Sequence, residues 1–276
     1  VLFYFFVRKN YATPQKRESL INGLLLLNIV ILVFGFIQYF FLPDLRFLKS
    51  LGWDDHYFRL VSTFLDPTFT GIILLMGLIL ALSKKHYFLG LINLAAIALT
   101  YSRSTYLALI ISLVYFFFLT KRKIILIFPV LLLIAIPFLP RPSSEGVKLE
   151  RTYSIYQKFD DYKKGLVLFA KSPVFGIGFN NVCAARRQYF KVQGAGSHSC
   201  PGIDNSFLFV LATTGIVGAI YLTYLLVKVP WRSTFGVVLV AVLTHAMFTN
   251  TLFYPFVMGP LAILLAISSD KDLYSS

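Results

Sequence analysis

The run DNSFLFVLATTGIVG (residues 204–218) sets an ionisable Asp204 and a polar Asn205 directly before an apolar stretch that continues to Val227. A charge-free apolar run of this length reads as a membrane span, since roughly 20 helical residues cross the hydrocarbon core. The rest of the chain has the same character. It is 57% hydrophobic and 14% charged, whereas a soluble domain is about 45–50% apolar and about 25% charged. The excess gathers into runs at 20–42, 67–83, 87–101, 104–119, 124–139, 204–227, 233–250 and 251–268. No period-2 alternation marks these runs, which argues against a closed barrel. The expectation is an all-α polytopic membrane protein with about eight transmembrane helices. The shorter runs around 87–119 and 245–260 predict tilted or partly re-entrant pieces.

Lys and Arg give the orientation. KRES (16–19), SKKH (83–86), KRK (121–123) and KVPWR (228–232) fall in alternate connections, all on one side of an eight-span path. The positive-inside rule makes that side cytoplasmic. The other side receives 43–66, the turn at 102–104, the long loop 140–203 between the fifth and sixth spans, and the turn near Asn250. Three regions follow: membrane helices over 1–139, a large external loop over 140–203, and C-terminal membrane helices with a short tail over 204–276. The opening VLFYFFV, ending at Arg8-Lys9, reads as the remnant of a further N-terminal span. The net charge of +14 is partly this topology signal and does not point to nucleic acid.

The external loop holds ten Lys and Arg against four Asp and Glu, a balance suited to a polyanionic ligand. Within it, LERTYSIYQKFDDYKKGLVLFAK (149–171) repeats apolar or aromatic residues at 155, 159, 162, 166 and 169, the period of a helix. Pro173 and the glycines of GIGFNN (176–181) end that helix. GIGFNN lacks the third glycine and preceding strand of a dinucleotide fingerprint. Cys183 and Cys200 are open to either reading, a disulfide or two free thiols. His56, His86, His198 and His245 show no zinc-ligand spacing, so no metal or other cofactor is expected.

Three ionisable residues converge on the external face in this topology: Arg59 before the second span, Arg103 between two apolar runs, and Asp204 at the lip of the sixth. Each alone could be an interface anchor. Together they suit a reaction on a lipid pyrophosphate. Arginine binds phosphate oxygens in pairs, and a carboxylate can take the proton of an attacking hydroxyl. Asn205 and Ser206 also suit a helix cap.

Four stretches in order resemble the bacterial O-antigen polymerase and O-antigen ligase superfamily: RLVSTFLDPTFTG (59–71), TYSRSTYLALIISL (100–113), KSPVFGIGFNNV (171–182), and the spacing from Asn205 to Gly215 and Gly218. The resemblance implies a metal-independent integral-membrane glycosyltransferase of the bacterial inner membrane, with its site facing the periplasm. Its donor would be an oligosaccharide on undecaprenyl pyrophosphate. Surrounding membrane lipids and a chain-length regulator would be its partners. Carried over residue by residue, Asp204 takes the place of the family's catalytic His, and Arg103 is the first pyrophosphate-binding arginine. Arg59, and Arg151 or Lys158, are further candidates, while Asn205 and His198 complete the substrate-binding set. Asp rather than His at 204 favours a polymerase; a ligase transferring glycan to lipid A core is the alternative. A transporter or flippase of lipid-linked sugars is the rival from another class, and it would favour inverted repeats, which the sequence does not show.

Overall fold

The computed structural model of the chain describes residues 2–54, 56–142, 145–190, 200 and 202–268. Eleven α-helices appear among them: α1 (Leu2–Asn10), α2 (Pro14–Phe41), α3 (Pro67–Ser83), α4 (Tyr87–Ala98), α5 (Arg103–Thr120), α6 (Ile127–Ala135), α7 (Tyr153–Lys171), α8 (Val182–Phe190), α9 (Ser206–Val227), α10 (Thr234–Ala246) and α11 (Pro255–Ile267). Short 3-10 turns flank α6 at Lys123–Leu126 and Ile136–Phe138. A lone bridge between Asp44 and Tyr57 is the extent of β pairing among the described residues.

Helix α3 is the hub. It is apolar all round, and a helix of that kind has to be enclosed. Every residue from Thr70 to Leu82 is buried, with α2, α4, α5 and α10 packed around it. Small residues allow the close approaches expected between membrane helices. A Cβ on Gly71 would fall 2.4 Å from the Thr105 hydroxyl, and one on Gly77 would fall 2.0 Å from the Asn28 amide. That amide pairs reciprocally with buried Asn93 of α4, each donating to the other at 3.0 Å. Helix α2 buries Leu25, Asn28, Leu32, Gly35 and Tyr39 at helical spacing and turns Val33, Phe34, Ile37 and Phe40 outward.

An apolar exterior of this extent calls for lipid as its solvent. Three helices, α2, α5 and α9, are long and apolar enough to cross a membrane. The helix α3, the helix α4, the Lys123–Phe138 segment, α10 and α11 are apolar but shorter. The twelve residues of α4 cover only about 18 Å. The expected apolar run 251–268 loses its first turn. Pro255 takes the first helical position of α11, and Tyr254 before it is extended, at φ −80° and ψ 118°. A residue preceding proline is pushed out of the helical region.

A second, smaller core joins the long loop to α9. Leu168 of α7, Val182 and Ala185 of α8, and Ile203 pack on Leu208, Phe209 and Ala212. Among the described residues of 140–203, the α-helices α7 and α8 therefore dock on the bundle. Cys183 and Cys200 are joined in a disulfide, with Cα atoms 5.3 Å apart.

Candidate functional site

Three caps gather at one end of the bundle. Asp66 accepts from the Thr68 and Phe69 amides at the start of α3. Ser102 caps α5 through the Thr105 amide. Asn205 caps α9 through the Phe207 and Leu208 amides, each at 3.0 Å. These side chains meet the first unpaired N–H groups of each helix. Packing links the three ends. Arg59 donates from Nε to the Thr100 carbonyl at 3.0 Å, and Ser206 Oγ reaches the Thr249 carbonyl at 3.3 Å in the α10–α11 turn. Arg59, Arg103 and Asp204 thus lie at the same end, as the sequence suggested.

The arginines form a group around the α4–α5 turn. Arg103 donates to the Leu149 and Arg151 carbonyls at 3.1 and 2.9 Å, and to Ser154 Oγ at 2.8 Å. All three acceptors are neutral, and Arg103 makes no ion pair among the described residues. The Arg151 guanidinium donates to the carbonyls of Gly146 and Lys148, and at 3.4 Å to that of Tyr101. Arg59 is buried, at 7% exposure. Burial pushes its guanidinium down to about 10, and the nearby Arg151 charge acts in the same direction against Asp66. It stays cationic at neutral pH. The three guanidinium groups share this end with the Asp66 carboxylate, and Arg103 meets neutral acceptors alone among the described residues, which suits an anionic ligand.

Helix α7 connects this group to Asp204. Ser154, Lys158, Asp161 and Tyr162 share one face by their i, i+4, i+7, i+8 spacing. Each touches the opposite wall. Ser154 receives Arg103. Lys158 Nζ lies 3.3 Å from the Asp204 carboxylate and also donates to the Phe248 carbonyl. That carbonyl follows the C-terminus of α10, where a cation is favoured by the helix dipole. Tyr162 donates to the Met247 carbonyl at 2.9 Å. Burial, reinforced by the charges of Asp204 and Asp161, pushes its phenol up to about 12, so it remains a donor. The inward face of α7 carries Ser154, Lys158, Asp161 and Tyr162 and continues into buried Gly165 and Leu168, while Tyr153, Tyr156 and Phe159 are exposed.

Asp204 itself is half exposed, its side chain at 51%. Its neighbour Asn205 is held on both sides: Oδ1 caps α9, and Nδ2 donates to the Met247 carbonyl at 3.0 Å. The amide therefore has structural partners at every polar atom. Helix α9 does not run unbroken. Gly215 sits at φ 65° and ψ −163°, and the loop after α7 fills the break. Ile177 and Gly178 donate to the carbonyls of Ala212 and Thr213, both at 2.9 Å, while Ile216 donates to the Pro173 carbonyl at 2.8 Å. A Cβ at Gly176 would lie 2.2 Å from Thr213 backbone, and one at Gly215 would lie 2.2 Å from the Val174 carbonyl oxygen. The two glycine-bearing motifs noticed in the sequence are thus two halves of one joint.

The structure brings together Arg59, Arg103 and Arg151, and separately pairs Lys158 with Asp204; His198 lies outside the described residues. Sequence reasoning missed Ser154, Asp161, Tyr162, Arg186 and His245. His245 is fully buried, with Nδ1 2.6 Å from Thr251 Oγ1 and Nε2 3.2 Å from Ser104 Oγ. Only the position of Ser104 beside Arg103 hinted at it. Among the described residues no group of three His, Cys, Asp or Glu side chains comes together as a metal cage.

Residues 88–223 match the family model described as O-antigen ligase. No curated protein matches the chain. The matched stretch takes in Arg103, all of α7, Asp204 and both halves of the α9 joint, so it contains most of the site built above. Residues 88–223 of this chain belong to the O-antigen polymerase and ligase superfamily.

Proposed function

We propose that the chain is a polymerase-type glycosyltransferase that moves a glycan from undecaprenyl pyrophosphate to a hydroxyl of a lipid-linked acceptor sugar, at the external membrane face. The observation that carries this reading is the clustering of Arg59, Arg103 and Arg151 at one end of the inward face of α7, with the half-exposed Asp204 carboxylate beside Lys158 on the same face. In the step proposed, the acceptor oxygen attacks the anomeric carbon while its proton passes to Asp204. The bond from that carbon to the phosphate oxygen breaks, and its electron pair leaves with the diphosphate. Arg103, with Arg59 and Arg151 behind it, stabilises the departing charge, so the reaction needs no metal. Lys158 holds the Asp204 carboxylate at 3.3 Å before substrate arrives. It is also within reach to turn towards the diphosphate. Asn205 serves this scheme as the cap that fixes the start of α9.

The test is Asp204→Asn as the sole copy in the cell, which preserves shape and removes basicity. Polymer should vanish at normal protein level while lipid-linked single repeats accumulate. Full-length polymer from this variant sinks the role of Asp204 as base. The description of the matching family model favours a second reading, a ligase acting on lipid A core. That reading requires long glycan to remain on undecaprenyl pyrophosphate in the variant, instead of single repeats.

A further inference from the structure

We propose that Asp161 is a positioning residue that fixes the backbone of Asp204; this rests on the role given to Asp204 above. Asp161 stands on α7 one turn beyond Lys158, and its Oδ2 accepts the Asp204 amide N–H at 2.8 Å. Its Oδ1 accepts from Arg186 Nη2 of α8 at 2.5 Å. Both side chains of this ion pair are largely enclosed, at 18% and 13% exposure. Burial pushes the Asp161 carboxyl up, and the Asp204 amide and Arg186 charge work against that rise. A half-buried carboxylate is unfavourable unless both oxygens are met. Here each oxygen has a partner, and one of them is the main chain of the candidate base.

The surroundings of Asp204 make the same point. The disulfide from Cys183 of α8 reaches Cys200, just upstream of Asp204. Downstream, Asn205 is pinned to α9 and to Met247. Between these anchors, Ile203 is packed in the core beside α7, and the hydrogen bond to Asp161 ties the Asp204 main chain itself to α7. A base has to lie within about 2.6–3.2 Å of the proton it removes, and catalytic groups tolerate only about 0.5 Å of misplacement. An exposed side chain at the end of a loop meets that requirement only if its backbone is held.

The test is a double-mutant cycle on the full chain in membranes, following turnover of a lipid-linked repeat. Asp161→Ala should lower turnover roughly tenfold, the loss of one hydrogen bond of about 1.4 kcal/mol, with donor KM little changed. In an Asp204→Glu background, which keeps a carboxylate but already displaces it by one methylene and leaves turnover to measure, the same substitution should cost much less, because its effect runs through the placement of the Asp204 carboxylate. Equal losses in both backgrounds would show that Asp161 only supports the fold, and overturn the proposal. A second arm exchanges the ion pair as D161R with R186D. The exchange restores the α7–α8 link but not the acceptor for the Asp204 amide, so protein level should recover while turnover stays low. Recovered turnover would assign Asp161 to the link alone. A fully active Asp204→Asn variant would instead defeat the function proposed for Asp204, and would show as such before the cycle is run.

Discussion

Arg103 carries two duties that one substitution can separate. Its guanidinium anchors residues 149–154 to the start of α5 through three neutral acceptors, and in the proposed reaction it also faces diphosphate. Arg103→Lys keeps the charge and loses the fork. Each charge-assisted hydrogen bond lost is worth about 1.5–3 kcal/mol, so turnover should fall by about one to two powers of ten. Ser154→Ala removes a single anchor and leaves the cation in place, so it should cost less than tenfold. Turnover measured in membranes at matched protein levels checks both, and unchanged activity in Arg103→Lys would reduce Arg103 to a structural anchor. At this scale the sequence was informative wherever function is local. Asp204, Asn205 and Arg103 stand beside span edges, and cap or charge is visible from the neighbouring residues alone. Asp161 and His245 were hidden, because the contacts that bring them to the site, with Asp204 and Ser104, span 43 and 141 residues and no local pattern records such contacts.

The element with the least obvious behaviour is α9. Read from composition it is one continuous span, yet it breaks at Gly215 and accepts the 173–178 loop into the gap. The glycine spacing was legible; its meaning depended on a second strip of chain more than 30 residues upstream. Gly215→Ala faces a positive φ, which costs an L residue about 1–2 kcal/mol, and a Cβ placed against the Val174 carbonyl. Gly218→Ala also clashes, 2.4 Å from the Thr214 Cβ, which no side-chain rotation removes, but its φ is not positive and the nearest atoms belong to a side chain. The expected order of damage is therefore Gly215→Ala beyond Gly218→Ala, read as folded protein recovered from detergent. Equal recovery of the two variants would mean that the joint has slack that the geometry does not suggest. Helix α7 is the complementary case: its period was plain in the sequence, but which face turned inward was not. The inward face is mixed: Ser154, Lys158, Asp161 and Tyr162 meet Arg103, Asp204, Arg186 and the 247–248 carbonyls, while Gly165 and Leu168 pack against α9.

For the molecule as a whole, the hydrophobic runs anticipated every apolar helix, since the period and length of such runs follow directly from burial in lipid. Their ends were less well placed, as at Tyr254, where proline chemistry overrode hydropathy. The proposed sidedness makes a direct prediction. Tyr156→Cys on the exposed face of α7 should react with a membrane-impermeant thiol reagent in intact cells, and Ser83→Cys at the end of α3 should not. The reverse pattern would move the arginine group and Asp204 to the cytoplasmic side and end the proposal of external chemistry. The contacts of α7 also have a consequence for biosynthesis. Lys158 and Tyr162 dock on carbonyls of residues 248 and 247, which lie 90 and 85 residues later in the chain. At a ribosomal pace of about 5–20 residues per second, α7 waits on the order of 5–20 s between its own synthesis and that of its docking platform. During that interval the Lys158 ammonium and Tyr162 hydroxyl are open to proteases and chaperones at the membrane, and the proposed catalytic face is assembled only when the α10–α11 hairpin arrives.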